Sequence, residues 1–218
     1  MLELRAVSRS WNGFGLKNIN IQVARGEYFM LLGPSGSGKT LLLSTISGIY
    51  FPDRGKILLK DKDITYVPPE KRRIGYVFQK NYLFPHLSVK KNITYGMGYH
   101  GFTKTEMTNT LKSLNKLLEL SSLINRDDTP CLSGGEAQKI ALARALAIKP
   151  DILLLDEPMS SLDYDNRNNV IETLKRINKE LKLTTIHVTH DITEVRSLAH
   201  RTVTIKNGGI VSYEHRTT

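Results

Sequence analysis

The sequence predicts an α/β fold in which helices cover a mostly parallel core sheet. Short apolar runs that read as strands alternate with stretches of helical periodicity, which is the pattern of such a sheet. The first third of the chain reads as strands and predicts an N-terminal antiparallel β subdomain. The stretch from about 82 to 150 reads as helical and predicts a helical subdomain within a single domain over 1–218.

The predicted strands are short and mostly apolar. Near the N-terminus, residues 2–8 and 18–23 alternate or run apolar, with Gly13 and Gly15 between them. Further apolar runs predict strands over 27–32, 56–60, 151–155 and 184–189. The final segment, TVTIK-NGG-IVSY, predicts a hairpin with Asn207-Gly208 at its turn, because that dipeptide tolerates positive backbone φ angles.

Capping boxes predict where two helices begin. Thr103 with Glu106, and Ser133 with Glu136, have the spacing at which each side chain can bond the backbone N–H of the other residue. The first pair precedes apolar residues spaced four, three and four apart, and the second precedes the run IALARALA. The same four, three, four spacing predicts another helix over 170–181.

The composition is that of an ordinary globular domain. Of the 218 residues, 40% are hydrophobic and 24% are charged, and no run approaches the roughly 18 apolar residues of a membrane span. The first ten residues lack an apolar segment, so we predict no signal peptide. The single cysteine, Cys131, excludes an internal disulfide and fits a reducing compartment, and we expect this small side chain to be buried.

The chain carries a formal charge of +10, from 31 Lys and Arg against 21 Asp and Glu. Such an excess is typical of proteins that bind nucleic acid, an anionic membrane surface or a phosphate ligand. The basic residues are scattered, with short clusters at 71–73 and 90–91. We interpret them as a solvated surface beside a membrane or a nucleotide.

A glycine-rich loop is the most informative motif. It matches the pattern G-x-x-x-x-G-K-[ST] in full, after a strand that ends at Leu32 and before an apolar helix. Glycines let backbone N–H groups curve around phosphates, Lys39 can reach the β- and γ-phosphates, and the Thr40 hydroxyl can ligate Mg²⁺. The sequence therefore predicts a P-loop NTPase fold, with the nucleotide held by Gly33, Pro34, Ser35, Gly36, Ser37, Gly38, Lys39 and Thr40.

An apolar strand ends in two acids, Asp156 and Glu157. Chemistry in an open α/β sheet lies at the carboxyl ends of the strands, so these acids are expected beside the P-loop. Asp156 would hold Mg²⁺, and Glu157 could polarise the attacking water. A P-loop by itself is equally typical of kinases, GTPases, helicases and transporter ATPases.

The string Leu132-Ser133-Gly134-Gly135-Glu136 resembles the LSGGQ signature of ATP-binding-cassette (ABC) ATPases. Ser133 would cap a helix whose first turn carries two glycines, so that bare N–H groups form an anion site. The resemblance implies that Ser133, Gly134, Gly135 and Glu136 face the γ-phosphate held by the P-loop of a second copy or a homologous ATPase. Two chains would then enclose two ATP molecules head to tail.

Other motifs of the ABC ATPases follow in the expected order. The resemblance implies that Gln79 contacts Mg²⁺ and the attacking water, and that His190 contacts the γ-phosphate. It also implies that Ser160-Ser161-Leu162-Asp163 forms the D-loop, in which Asp163 crosses the dimer interface. His187 matches no such motif, and we expect a structural role for it.

Trp11 is the only tryptophan and resembles the aromatic residue that stacks on adenine in this family, with Phe14 as the alternative. The chain departs from the common family pattern at a few positions. Leu41 replaces a frequent second hydroxyl, Lys139 stands where arginine is frequent, and Met159 lies between Pro158 and the D-loop. None of these changes removes a catalytic group.

Residues 68–93 resemble those of importer ATPases, most of all the molybdate, tungstate and sulfate importers. The aliphatic residue after GPSGSGKT and the segment DIT-x-x-PPEKR carry this resemblance. It implies permease subunits as partners, a solute-binding protein indirectly, no nucleic acid, and a peripheral position on the cytoplasmic face of the membrane. Many such ATPases have a C-terminal regulatory domain, and we expect none here.

Three other hypotheses are open from the sequence. A soluble ABC ATPase acting on nucleic acid or ribosomes would suit the positive charge, but such proteins usually have two cassettes or a long coiled-coil insertion. A P-loop kinase would need an acceptor pocket and has no use for the LSGGE string. A regulatory module without catalysis is disfavoured because Glu157 and His190 are both present.

Overall fold

The computed structural model describes residues 1–160 and 162–215. The first and the last described elements are strands, and the helices lie between them in the chain. In the described part, no helix is long and apolar enough to cross a bilayer. The elements are β1 (Leu2–Trp11), β2 (Phe14–Val23), β3 (Tyr28–Leu32), α1 (Lys39–Ser47), β4 (Arg54–Leu59), β5 (Lys62–Asp63), β6 (Ile74–Val77), α2 (Val89–Tyr99), α3 (Lys104–Leu118), α4 (Gly134–Ala147), β7 (Ile152–Asp156), α5 (Tyr164–Leu181), β8 (Thr184–Val188), α6 (Ile192–Leu198), β9 (Arg201–Lys206) and β10 (Gly209–His215).

Two sheets form the scaffold. An antiparallel sheet has the strand order β2-β1-β4-β5, and the second sheet has the order β10-β9-β3-β8-β7-β6. Strands β9, β3, β8, β7 and β6 run parallel, and β10 adds an antiparallel edge. Helices α2, α3 and α4 come between β6 and β7 in the chain. This arrangement confirms the predicted fold class, a mostly parallel sheet with an antiparallel N-terminal part and a helical part.

Local sequence rules explain where several elements begin and turn. At the starts of α3 and α4, Thr103 with Glu106 and Ser133 with Glu136 make both hydrogen bonds of a capping box. The dipeptide Asn207-Gly208 has φ values of 50° and 77°, as the tight turn between β9 and β10 requires. Both capping boxes and the terminal hairpin are therefore confirmed.

The parallel sheet is buried on both faces. Successive residues of a strand point to opposite sides, so Phe29 and Leu31 of β3 join one apolar core and Met30 joins the other. The first core also contains α1 and the antiparallel sheet, and the second contains residues from α2 to α5. Burial on both faces explains why the central strands read as continuous apolar runs.

Cys131 is exposed, so the expectation that it is buried was wrong. It ends the 3₁₀ turn Thr129–Cys131, in which Thr129 is the buried residue. With about three residues per turn, a side chain two positions after a buried one points away from the interior. Residue type sets how often a side chain is buried on average, but at Cys131 the geometry of the local turn directs the side chain to solvent.

A buried arginine holds the C-terminal end of α1. Arg72 is only 2% exposed, and its guanidinium donates hydrogen bonds of 2.6 to 3.1 Å to the carbonyls of Val67, Thr65, Thr45 and Ile46. Burial lowers the pKa of Arg72 to about 10, which leaves it charged at neutral pH. Because two of these carbonyls belong to α1, Arg72 joins the helix after the P-loop to the strand that leads to Gln79.

We expect Arg72→Met to lower the free energy of unfolding by about 3 kcal/mol, because it leaves buried carbonyls without donors. Chemical denaturation would measure the change. The exposed neighbour Lys71 provides the matched control, and Lys71→Met should change stability by less than about 0.5 kcal/mol. Equal effects of the two substitutions would contradict the assigned role of Arg72.

Candidate active site

The loops that carry the predicted motifs meet at one edge of the parallel sheet. The P-loop follows β3, Gln79 follows β6, Glu157 follows β7, and His190 follows β8. Because these strands are parallel, their carboxyl ends lie at the same edge. Strand β8 lies between β3 and β7, so the loop carrying His190 emerges between the P-loop and Glu157.

The P-loop has a backbone that requires glycine at two positions. Gly33 has a φ of 147°, and a Cβ there would lie 2.2 Å from the carbonyl oxygen of Ile205. Gly38 has a φ of 106°, and a Cβ there would lie 3.3 Å from the ring of Phe14. Side chains are strained in this conformation, which explains both glycines. Helix α1 begins at Lys39, so its free N–H groups and the positive end of its dipole face the loop.

The side chain of Lys39 is folded back onto its own loop. It is 5% exposed, and its ammonium donates to the carbonyls of Gly33 at 2.7 Å and Pro34 at 2.9 Å. The turn between β9 and β10 supports the same loop, since the Gly208 N–H donates to the Ser37 carbonyl at 3.1 Å. A charged phosphate oxygen is a stronger acceptor than a neutral carbonyl, so Lys39 can exchange these bonds for a phosphate ligand.

A hydroxyl and a carboxylate beside the P-loop have the chemistry of a Mg²⁺ site. The Thr40 hydroxyl donates to Oδ1 of Asp156 at 3.1 Å, and the Tyr76 hydroxyl donates to Oδ2 at 3.5 Å. Asp156 is 4% exposed, and its pKa is raised, mainly by this burial. A buried carboxylate gains from a nearby cation, and hard oxygen donors are the ligands that Mg²⁺ prefers. Gln79 lines one cleft together with Thr40 and offers an amide oxygen as a further ligand.

Glu157 has a strained backbone conformation next to His190. Its φ of 45° lies in the left-handed region, which costs a non-glycine residue about 1–3 kcal/mol. The Glu157 N–H donates to the carbonyl of Val188 at 2.9 Å and so joins the end of β7 to the end of β8. Its carboxylate Oε2 lies 3.4 Å from Nδ1 of His190, whose side chain is 68% exposed. A carboxylate in this position can accept a proton from a water in the cleft.

A cleft of about 520 Å³ extends along the P-loop and includes an aromatic patch. Trp11 and Phe14 both line the cleft and are 41% and 36% exposed. The ring of Tyr50, which also lines the cleft, lies 4.5 Å from the Trp11 ring, and the Arg9 guanidinium lies 6.0 Å from it. An exposed flat ring that is supported by neighbours can stack on a nucleotide base.

The signature segment does not line this cleft. Among the residues that the structure describes, the cleft is formed without Ser133, Gly134, Gly135 or Glu136. The Glu136 carboxylate accepts the Ser133 N–H at 2.8 Å, and the Ser133 hydroxyl accepts the Glu136 N–H at 3.3 Å. Gly134 and Gly135 form the first turn of α4, where backbone N–H groups have no partner within the helix.

Asp163 caps α5 close to the signature segment. Its carboxylate accepts the backbone N–H of Asn166 at 2.9 Å and the side-chain amide of Asn166 at 2.8 Å. These two bonds, the backbone one foremost, lower the pKa of Asp163. A Cβ on Gly135 would lie 3.1 Å from the Asn166 side chain, so Asn166 separates Asp163 from the signature. The D-loop residue Ser161 lies outside the described residues.

Some residues at the site belong to no motif found in the sequence. Tyr76 contacts Asp156, and Tyr50 supports Trp11. Arg167 of α5 forms an ion pair with Asp191, the residue after His190. Each contact joins segments that are far apart in the chain, so no local pattern predicts it. Only the strand order and the helix packing bring these side chains together.

A P-loop nucleotide-binding domain is defined by a strand, a glycine-rich loop and a helix in succession, with the acidic end of another strand of the sheet beside them. This chain has these parts in β3, the P-loop, α1 and the end of β7. Residues 16–160 match the family model described as ABC transporter. The molybdate/tungstate import ATP-binding protein WtpC of Methanocaldococcus jannaschii is 43% identical over 98% of this chain and 70% of its own length. The chain therefore belongs to the ABC transporter family, and its cassette is an ABC-type ATPase domain.

A second relative and a solved structure agree with this family. The sulfate/thiosulfate import ATP-binding protein CysA of Caulobacter vibrioides is 42% identical over 96% of this chain. The chain spans 63% of the length of that relative. A dimeric structure of the ATP-binding cassette MJ0796, in a post-hydrolysis state bound to ADP and Pi, has a TM-score of 0.86 at 30% identity and covers all of both chains. The predicted family is confirmed.

The predicted stacking of Trp11 on the nucleotide base can be tested directly. It is the only tryptophan, so we expect its fluorescence to change when ATP is added. Trp11→Ala should weaken ATP binding about tenfold, because a base–aromatic stack is worth roughly 1–3 kcal/mol. Calorimetry would measure the affinity, with Tyr99→Ala, at an exposed aromatic residue, as the control. A larger loss from Phe14→Ala than from Trp11→Ala would transfer the stacking role to Phe14.

Proposed function

We propose that this chain is the ATP-binding and ATP-hydrolysing subunit that energises an ABC membrane importer of a small oxyanion such as molybdate, tungstate or sulfate. The observation that best supports hydrolysis is the meeting of the P-loop, the buried Asp156 and the Glu157–His190 contact at one sheet edge. The names of the relatives support import, since they describe molybdate/tungstate and sulfate/thiosulfate import ATP-binding proteins.

In the proposed site, Gly33 to Thr40 hold the triphosphate through backbone N–H groups and the Lys39 ammonium. The oxygens of Thr40, Asp156 and Gln79 would hold Mg²⁺, which when bound neutralises the β- and γ-phosphate oxygens. Glu157 accepts the proton of the attacking water. His190 orients the Glu157 carboxylate, 3.4 Å away, and contacts the γ-phosphate.

The site is proposed to be completed by a second copy or a homologous ATPase. Support comes from the signature residues and Asp163, which have anion-binding or capping geometry but no place in the cleft of their own chain. The free N–H groups of Gly134 and Gly135 suit a γ-phosphate supplied by the partner. The carboxylate of Glu136 is engaged in the capping box, so we assign it the role of holding Ser133 in place.

The proposed partners are membrane permease subunits, with a solute-binding protein acting through them. We place the chain at the cytoplasmic face of the membrane as a single ABC ATPase domain over 1–218, with a helical subdomain at about 82–150.

Purification of the tagged chain from detergent-solubilised membranes should recover permease subunits. Recovery of RNA or DNA in their place would favour the hypothesis of a nucleic-acid ATPase.

We expect Glu157→Gln to lower ATP turnover about 100-fold or more, because the amide cannot accept the proton of water. ATP affinity should be unchanged, and ATP-bound dimers should accumulate in size-exclusion chromatography with light scattering. Glu172→Gln, at an exposed position of α5, is the control and should keep wild-type turnover. Full steady-state ATPase activity of Glu157→Gln would refute the assigned base.

Lys39→Ala removes the only side-chain cation that the proposed site directs at the β- and γ-phosphates. We expect ATP binding to weaken about 100-fold, or turnover to fall by a similar factor, as for a lost charge-assisted contact. Lys17→Ala is the control, because Lys17 is exposed and precedes the P-loop in the chain. Unchanged binding and turnover of Lys39→Ala would exclude the P-loop assignment.

A further inference from the structure

A chain of buried polar side chains lies next to the loop that carries His190. Tyr28 of β3, His187 of β8 and Glu194 of α6 are only 2%, 0% and 3% exposed. The Tyr28 hydroxyl lies 2.9 Å from Nδ1 of His187, and Nε2 of His187 lies 3.2 Å from Oε2 of Glu194. The roles proposed above use none of these three side chains, although burying polar groups costs free energy.

His187 and Glu194 lie on either side of His190 in the chain. His187 is the next-to-last residue of β8, and Glu194 is in the first turn of α6. Their contact therefore joins the two ends of the segment 188–193, which contains His190. Glu194 also lines a cavity of about 40 Å³ together with His190 and Glu157. A shift of Glu194 would thus reach both groups of the proposed hydrolytic pair.

One arrangement of protons places a donor opposite each acceptor of the buried chain. If the Tyr28 hydroxyl donates to Nδ1, the proton of a neutral His187 is on Nε2 and faces the Glu194 carboxylate. The 3.2 Å contact is not aligned as a hydrogen bond, and within the described ranges neither Nε2 nor Oε2 has another partner. A buried polar atom without a partner costs free energy, so this 3.2 Å contact is the interaction open to both atoms among the described residues.

We infer that His187 and Glu194 are positioning residues, which hold the loop 188–193 so that His190 stays in contact with Glu157. Tyr28 extends this support to β3, the strand that leads into the P-loop. The inference rests on the proposed function, because the effect on hydrolysis passes through His190. The contact adds to the other interactions that hold this loop, which include the ion pair between Arg167 and Asp191 and the backbone bonds of Val188 with Glu157 and of Thr189 with Leu31.

The test uses the full chain with substitutions at Glu194. Glu194→Leu should lower kcat for ATP about tenfold and leave KM within about twofold, because the P-loop is not touched. Glu194→Gln keeps an acceptor oxygen opposite Nε2 of His187 and should retain at least about half of the wild-type kcat. In a His190→Ala background, Glu194→Leu should cause no further loss, because its effect passes through His190.

Ile186→Ala is the matched control. Ile186 is the neighbour of His187 on β8, is 1% exposed and faces the opposite core. The substitution leaves a cavity and lowers thermal stability, but kcat should stay within about twofold of wild type. If Glu194→Leu does not fold, Tyr28→Phe removes one hydroxyl from the same chain and should lower kcat about threefold at constant KM.

Hydrogen exchange of the nucleotide-free chain tests the same inference without the reaction. The amides of segment 188–193 should exchange at least about fivefold faster in Glu194→Leu than in wild type, and at the wild-type rate in Ile186→Ala. Wild-type exchange and wild-type kcat in Glu194→Leu would overturn the inference. So would a further loss in the His190→Ala background, or an equal loss of kcat in Ile186→Ala. Absence of ATPase activity in the wild-type chain would count against the proposed function, and the exchange rates would still decide this inference.

Discussion

The position of β8 between β3 and β7 is the constraint on which the site depends. Parallel pairing on both sides of β8 brings the P-loop, His190 and Glu157 to one edge of the sheet. The backbone bond from Glu157 to Val188 extends this pairing past the end of β7. It also maintains Glu157 at a positive φ, a conformation that the residue would not adopt without such support. The location of the proposed base thus follows from sheet pairing.

The P-loop and its helix are supported at both ends. The Gly208 N–H holds the loop at Ser37, and the guanidinium of Arg72 holds the carbonyls at the end of α1. In this structure, the Lys39 ammonium bonds carbonyls of the P-loop, and the Asp156 carboxylate accepts the Thr40 hydroxyl. Binding of a magnesium nucleotide would exchange these neutral partners for charged ones in a backbone that is already shaped for phosphate. Preorganisation of this kind reduces the cost of ordering the site.

In the proposed dimer, one chain contributes halves to two different composite sites. The P-loop side has the cleft, the aromatic patch and the proposed hydrolytic pair. The signature side has the α4 N-terminus and the Asp163–Asn166 cap, which lie against each other through Gly135. The similar cassette MJ0796 has been solved as a dimer bound to ADP and Pi. The dimer proposed here would join the P-loop side of one copy to the signature side of the other. Asn166, which bonds Asp163 and lies against Gly135, would then hold the signature side of each site in place.

The sequence by itself determined the α/β class, the P-loop, two capping boxes and the turn at Asn207-Gly208. Each of these depends on residues a few positions apart, where backbone conformation and local hydrogen bonds follow from residue type. The prediction that Cys131 is buried was wrong, because the size of a side chain does not determine which side of a turn faces solvent. Tertiary structure alone decided the contact of Tyr76 with the acidic end of β7 and the burial of His187 against Glu194. These contacts depend on the order of strands in the sheet and on how helices pack against it, and neighbouring strands are separated in the chain by whole helices.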